Sequence, residues 1–239
     1  SLNCTPKTLK VIREIQENLL CIGKRREIIT KKTDLRCWCS KTGLPLNAKH
    51  VVGCCRKVSA EINARHDNVV NILLNNILVK RGLVSHEQKW EDRKMVRTGR
   101  DEITIGTEHW RSDEWRSKGR VAGAKLKPDL VWLRRDTDGW RKAVVDVKIT
   151  STDKMNESFK EKDDKYRDWA TRETREKKVS KAVMVPLIIS HDWAVHKDSV
   201  RRWNDCSRDI KVDWVRMAQN VLRYNVVIVG KFFGKGSWV

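Results

Sequence analysis

The chain has 239 residues, enough for one full-sized core plus a small appended module, so it does not need disulfides to fold. Its 51 Lys and Arg against 31 Asp and Glu give a formal charge of +20, which makes a polyanion the expected partner and nucleic acid the commonest such partner. No stretch approaches the roughly 18 apolar residues of a membrane-spanning helix, and the opening SLNCTPKTLKVIREIQ lacks the apolar segment of a signal peptide, so neither membrane insertion nor secretion is expected.

In chain order, Leu9, Ile12, Ile15, Leu19 and Ile22 recur at three- and four-residue steps, which predicts an amphipathic helix over 6–28 ending in the basic run Lys24-Arg25-Arg26. Residues 31–55 carry turn residues and cysteines without a period. A second helix is predicted over about 57–81, with Val58, Ile62, Val69, Leu73 and Ile77 along one stripe and Gly82 as its stop. Residues 84–126 are polar, charged and rich in Trp, with one short strand expected at 103–105 and a Gly-rich approach, KGRVAGAKLK, to the next segment. That segment, KPDLVWLRRDTDGWRKAVVDVKIT (127–150), reads as two strands around an Asp138-Gly139 turn. A long helix over about 153–178, a buried strand over about 181–189 and two helices near 196–204 and 208–224 complete the chain. The eleven Trp are read as core more than as stacking platforms.

A two-residue Asp138-Gly139 turn makes Thr137 face Trp140, Asp129 face Lys148 and Val131 face Asp146. Residues opposed across a ladder share a sheet face, as do residues two apart along a strand, so Asp129, Asp146 and Lys148 project together. The two carboxylates become diagonal neighbours with Cβ atoms about 7–8 Å apart, within joint reach of one divalent cation. An exposed Asp–Lys salt bridge would explain the same residues. Against it, Ala143, Val145, Val147 and Ile149 fill the opposite face and Val144 sits beside the acids, so the strand is partly apolar rather than solvated. In the following helix Met155, Phe159, Tyr166 and Trp169 form a stripe that contains Lys162. Its ammonium either snorkels to water or points into the acidic site. Asp168 with Arg172 and Glu173 with Lys177 are i,i+4 pairs on a solvated face.

Of seven cysteines, four fall within 37–55 while Cys4, Cys21 and Cys206 are scattered, and such crowding suggests metal rather than disulfides. Cys37, Cys39, His50 and either Cys54 or Cys55 supply four ligands for a tetrahedral Zn²⁺. A reduced cysteine cluster without metal is the alternative.

Pro128-Asp129, sixteen intervening residues and Asp146-x-Lys148, on a strand–turn–strand–helix–strand run, resemble the PD-(D/E)xK nuclease motif. Lys162-Asp163-Asp164-Lys165-Tyr166 resembles the K-x-x-K-Y signature of the restriction-like endonuclease of early-branching, often site-specific non-LTR retrotransposons. His50-x4-Cys55 is similar to the CCHC knuckle that this family carries upstream, and Arg65-His66-Asp67 to its R-H-(D/N) segment, although locally Asp67 would serve the helix dipole and His66 the surface equally well. Cys37 and Cys39 are one residue apart where the family has two or three. The ordered resemblance covers residues 35–190.

What the resemblance implies is an α/β, restriction-endonuclease-like core over 61–239, a zinc knuckle over 31–60 and an N-terminal helical linker over 1–30. Zn²⁺ would be held by Cys37, Cys39, His50 and Cys55, the last in preference to Cys54. Mg²⁺ or Mn²⁺ would be held by Asp129, Asp146 and the Val147 carbonyl; Lys148, Lys162, Lys165 and Tyr166 would serve catalysis, and Arg65 and His66 would contact nucleic acid. The chemistry suits the residue types: hard carboxylate oxygens for a hard cation, and ammonium groups beside a developing phosphate charge. The family nicks target DNA so that a 3′-hydroxyl primes reverse transcription, which implies a nuclear protein, a DNA target, the element RNA as a second partner and the remainder of a reverse-transcriptase polyprotein. Two rival readings are a noncatalytic nucleic-acid-binding module and a structure-selective junction nuclease with the same core. Glu102 and Glu108 are candidates for an additional acid by position alone, and His86, His109, His191 and His196 join no constellation.

Overall fold

The computed structural model describes residues 6–16, 36–37, 39, 44–87, 95–106, 109–110, 125–175 and 179–233. In chain order the elements are α1 (Pro6–Gln16), β1 (Arg36–Cys37), β2 (Leu44–Pro45), α2 (Ala48–Gly53), α3 (Ser59–Lys80), β3 (Met95–Arg97), β4 (Asp101–Ile105), β5 (His109–Trp110) and β6 (Lys125–Leu126). They continue with β7 (Leu130–Asp136), β8 (Gly139–Thr150), α4 (Met155–Arg175), β9 (Lys181–Ser190), α5 (Lys197–Cys206) and α6 (Trp214–Phe232). A five-stranded mixed sheet in the order β3-β4-β7-β8-β9 organises the chain, antiparallel throughout except for the parallel β8–β9 pair that α4 connects.

Strand β8 is buried on both faces, which is why it reads as a near-continuous apolar run. On one face Ala143, Val145 and Val147 pack with Leu130, Trp132, Val185 and Leu187 against α3 and against Trp203, Met217 and Val221. On the other, Val131, Val144 and Met184 pack under Tyr166 and Trp169 of α4. Helix α3 is buried on most of its circumference: Val69, Leu73 and Ile77 of the expected stripe are joined by Val70, Ile72, Leu74 and Leu78. Its end is close to the expected one, with Gly82 at a φ of +66°, the left-handed conformation that stops helices at glycine.

Three expectations need correction. The hairpin turn is centred on Thr137-Asp138, not Asp138-Gly139, because Asp136 pairs with Gly139 and Val131 with Val144. Gly139 takes a φ of +115° directly after the turn, as glycine does where a turn with negative-φ central residues joins a twisted strand. The register moves by two residues, which leaves every side chain of the paired strands on its expected face; Asp129, just before the ladder, meets Val147 N and His66 rather than Lys148. In α1 it is Val11 and Ile12 that are buried, while Leu9 is exposed; residues 17–28 lie outside the described set, as do Cys4, Cys21 and most of the Trp-rich 84–126 segment. The last helix starts at 214, not 208, because Asp209 is bound by Arg81 and Arg134 and the Ile210 carbonyl accepts from Trp203 Nε1 at 2.9 Å. Asp213 then caps it, accepting from Arg216 N.

Among the described residues no helix is long and apolar enough to cross a membrane. Helices α1, α2 and α6 share one apolar cluster, in which Val11 and Ile12 meet Val51, Val52, Leu222, Val226 and Val229.

Candidate functional sites: a cysteine–histidine cluster and an acidic cleft

The β1–β2 pair and α2 bring Cys37, Cys39, His50 and Cys55 together, with ligand atoms all within 4.8 Å of one another. Asn47 caps α2 by accepting from His50 N at 2.8 Å, which fixes the ring at the start of the helix. Cys37 Sγ lies 3.7 Å from Cys55 Sγ, and Cys39 Sγ lies 3.3 Å from His50 Nε2. A tetrahedral zinc with Zn–S of about 2.3 Å and Zn–N of about 2.0 Å has S···S edges of about 3.8 Å and S···N edges of about 3.5 Å. The group can therefore bind a metal such as zinc. Cys54 is exposed and its Sγ stands 3.5 Å from His50 Nδ1, the ring nitrogen turned away from the cluster. Burial pushes the Cys55 thiol up to about 12 and pushes the His50 imidazolium down, so the ring is neutral, the form a metal accepts as a ligand.

The second site is a cleft of about 380 Å³ at the end of the β7–β8 ladder, lined by Asp129, Asp146, Val147, Lys148, Lys162 and Lys165, together with Arg65, His66 and Gly53. Asp146 is 3 % exposed, on the sheet face that α4 covers. Lys162 Nζ donates to its Oδ1 at 2.7 Å and Lys165 Nζ to its Oδ2 at 3.2 Å. Burial would raise the Asp146 carboxyl, but the charges of Lys162 and Lys165 outweigh it and hold the group below the usual carboxylate range. Lys162 thus points into the acidic site.

Asp129 follows Pro128 just before β7, and its Oδ2 accepts from Val147 N at 2.6 Å and from His66 Nε2 at 3.2 Å. His66 also contacts Asp67 Oδ1 at 3.1 Å through Nδ1. Burial would lower its pKa, yet the hydrogen bond and charge of Asp129, and then of Asp67, raise it to about 9. His66 is therefore a cation tied to one of the two acids rather than an uninvolved surface residue. Lys148 lines the cleft but donates to Glu161 Oε2 at 2.5 Å. Tyr166 is fully buried beside the lysines, its ring 4.6 Å from Lys165 Nζ.

Arg65 is 1 % exposed; its Nη1 donates to Asn225 Oδ1, and Asn225 Nδ2 donates in turn to the His191 carbonyl at 2.8 Å. Asn225 and His191 had no signal in the sequence, since both lie more than a hundred residues from Arg65 and neither belongs to a spaced motif. Glu102 bonds Arg97 Nε at 2.9 Å and does not line the cleft; Glu108 lies outside the described residues. No family model matches the chain, and no curated protein matches it.

Proposed function

We propose that the chain is a metal-dependent DNA endonuclease, the nuclease and zinc-knuckle portion of a non-LTR retrotransposon polyprotein, acting in the nucleus to nick target DNA for priming of reverse transcription. The observation that carries this reading is the pair Asp129 and Asp146 lining one cleft with Lys148, Lys162 and Lys165. The antiparallel hairpin continued by a parallel strand–helix–strand unit supports a restriction-endonuclease-like core. The charge of +20 supports a nucleic-acid substrate, with the element RNA as a second partner.

The donor set suits Mg²⁺ or Mn²⁺: hard carboxylate oxygens of Asp129 and Asp146 and the Val147 carbonyl would hold it. Such an ion, when bound, neutralises phosphate charge and activates water. The chain's own residues do the rest. Val147 N and His66 fix the Asp129 carboxylate, while Lys162 and Lys165 keep Asp146 ionised in its buried position. Lys148, two residues from Asp146 on the same strand face, is assigned to orienting or deprotonating the attacking water, and the lysine pair to stabilising the phosphate charge that develops. His66, which lines the cleft, is assigned to nucleic-acid contact, whereas Arg65, buried and bound to Asn225, ties α3 to α6 instead.

A noncatalytic binding module is the second reading, favoured by one observation: both oxygens of Asp146 are already matched by ammonium groups. Supercoiled plasmid separates the two. The nuclease reading expects nicking in Mg²⁺ or Mn²⁺, none in EDTA, and loss of nicking in Asp146→Ala with DNA binding in Ca²⁺ retained, because most affinity comes from phosphate contacts elsewhere. Loss of both together, with the fold intact, favours the binding module.

A further inference from the structure

The turn that follows β9 contains a backbone outlier. Trp193 has a φ of +75°, the one positive value among the described non-glycine residues, and a bulky side chain there is strained. The surrounding bonds impose it. Ser190, fully buried, donates its amide to the Ala194 carbonyl at 2.8 Å, and its carbonyl accepts from Trp193 N at 3.1 Å. The Ser190 hydroxyl oxygen accepts from Asp192 N at 3.2 Å and from Ala194 N at 2.9 Å. Outside the turn, Thr152 Oγ1 donates to Asp192 Oδ2 at 2.6 Å, tying it to the helical turn that precedes α4. The result is a rigid mount that displays an indole with 54 % of its surface exposed.

The turn adjoins the cleft. His191 N donates to the Thr150 carbonyl at 2.8 Å, so the turn sits beside the end of β8, about 13 Å along the strand from Asp146. Gly53, which lines the cleft, abuts His191: a Cβ on Gly53 would lie 3.1 Å from its Cε1. Lys49, exposed on α2, is paired to Asp153 next to Thr152. An aromatic plate held rigidly beside a cleft that carries Lys148, Lys162 and Lys165 suits an unstacked base whose backbone continues from the cleft.

We propose that Trp193 is a stacking platform for an unpaired nucleobase of the strand that leaves the acidic cleft. This rests on nucleic acid being the ligand of that cleft, and it adds a preference for substrates with a single-stranded arm. Structural placement of the indole in a buried core, the general expectation for the Trp of this chain, does not apply to this residue.

The test uses the whole zinc-loaded chain in Ca²⁺, with two fluorescent DNA probes: a blunt duplex and the same duplex carrying a single-stranded 3′ arm. The wild-type chain binds the armed probe more tightly. Trp193→Gly removes the indole and relieves the positive φ, so its melting temperature stays level or rises, while its affinity for the armed probe falls roughly 5- to 100-fold, the size of one lost base stack. Affinity for the blunt duplex does not change, and Trp193→Phe retains most of the preference. Undiminished binding of the armed probe by Trp193→Gly overturns the proposal and leaves the indole to a protein contact; equal weakening on both probes, or no wild-type preference for the arm, overturns it as well. Nicking by Asp146→Ala is scored separately: if that variant still nicks while the Trp193 variants behave as described, the cleft assignment fails and the stacking platform stands.

Discussion

The cysteine–histidine cluster and the acidic cleft each converge several side chains on a point, but by opposite physical routes. Burial keeps the Cys55 thiol and the His50 imidazole neutral, and Cys37 and Cys55 sit 3.7 Å apart, at the edge length of a tetrahedral site. Carboxylates in a buried cleft cannot do the same, because each needs compensation for lost hydration. Asp146 obtains it from Lys162 and Lys165 and Asp129 from His66 and Val147 N. The first region therefore displays its metal chemistry in bare geometry, whereas in the second each acid is matched by cations or a backbone N–H of the chain's own.

The largest effect expected from this contrast is on zinc. A structural zinc site contributes on the order of 10 kcal/mol of apparent binding free energy near neutral pH, so stripping the metal or making Cys55→Ser should unfold the 36–58 segment and expose its apolar partners on α1 and α6. Cys54→Ser, which alters only the far side of His50, should keep one zinc per chain by elemental analysis and melt as the wild type does. Zinc retained by Cys55→Ser but lost by Cys54→Ser would reverse the ligand assignment.

Next come the lysines. Lys148→Ala and Lys162→Ala are each expected to slow single-turnover cleavage by about 10²-fold or more, the cost of removing one transition-state donor, with little change in DNA affinity. Lys165→Ala, whose ammonium is farther from Asp146 and more exposed, should cost less. A dead Lys165→Ala beside an active Lys162→Ala would exchange the roles of the two lysines; if both cleave normally, their pairing with Asp146 serves the fold alone.

A smaller, pH-dependent effect belongs to His191, which lies between the two regions. Burial, then the charges of Arg65 and Lys49, push its pKa down to about 3, with Asp153 opposing them weakly. The unfolded chain takes up this proton near pH 6.5 and the folded chain does not until about 3, so stability is full above pH 6.5 and falls on acidification by up to about 1.4 kcal/mol per pH unit. Denaturant melts at pH 7 and 5.5 should show that slope in the wild type and a shallower one in His191→Gln. Identical slopes would mean that His191 is protonated in the folded chain.

Much of this was legible in the sequence for a reason that the hairpin makes plain. The expected turn was misplaced by one residue, which displaced the register by two, and a displacement of two preserves the face of every side chain. Asp146 and Lys148 therefore share the face that α4 covers, where Lys162, Lys165 and Glu161 meet them, while Asp129 lies just before β7 and reaches His66 of α3. The helical stripe likewise put Lys162 on the side of α4 that meets the sheet, because Tyr166 and Trp169 are large enough to dictate that face. What spacing could not reveal were partners joined only by the tertiary fold: Asn225 on Arg65, Glu161 on Lys148, and Asp209 held between Arg81 and Arg134. The strained Trp193 was equally hidden, since its conformation comes from bonds to Ser190 and not from its own preference.

The most direct test of the acidic cleft as a metal site is Mn²⁺ binding, followed by electron paramagnetic resonance on the zinc-loaded chain without DNA. A metal site there binds at least one Mn²⁺ per chain, lost in both Asp129→Ala and Asp146→Ala while zinc content is unchanged. A wild-type chain that binds no Mn²⁺, or an Asp146→Ala variant that binds it as well as the wild type, would rule out a metal site in the cleft.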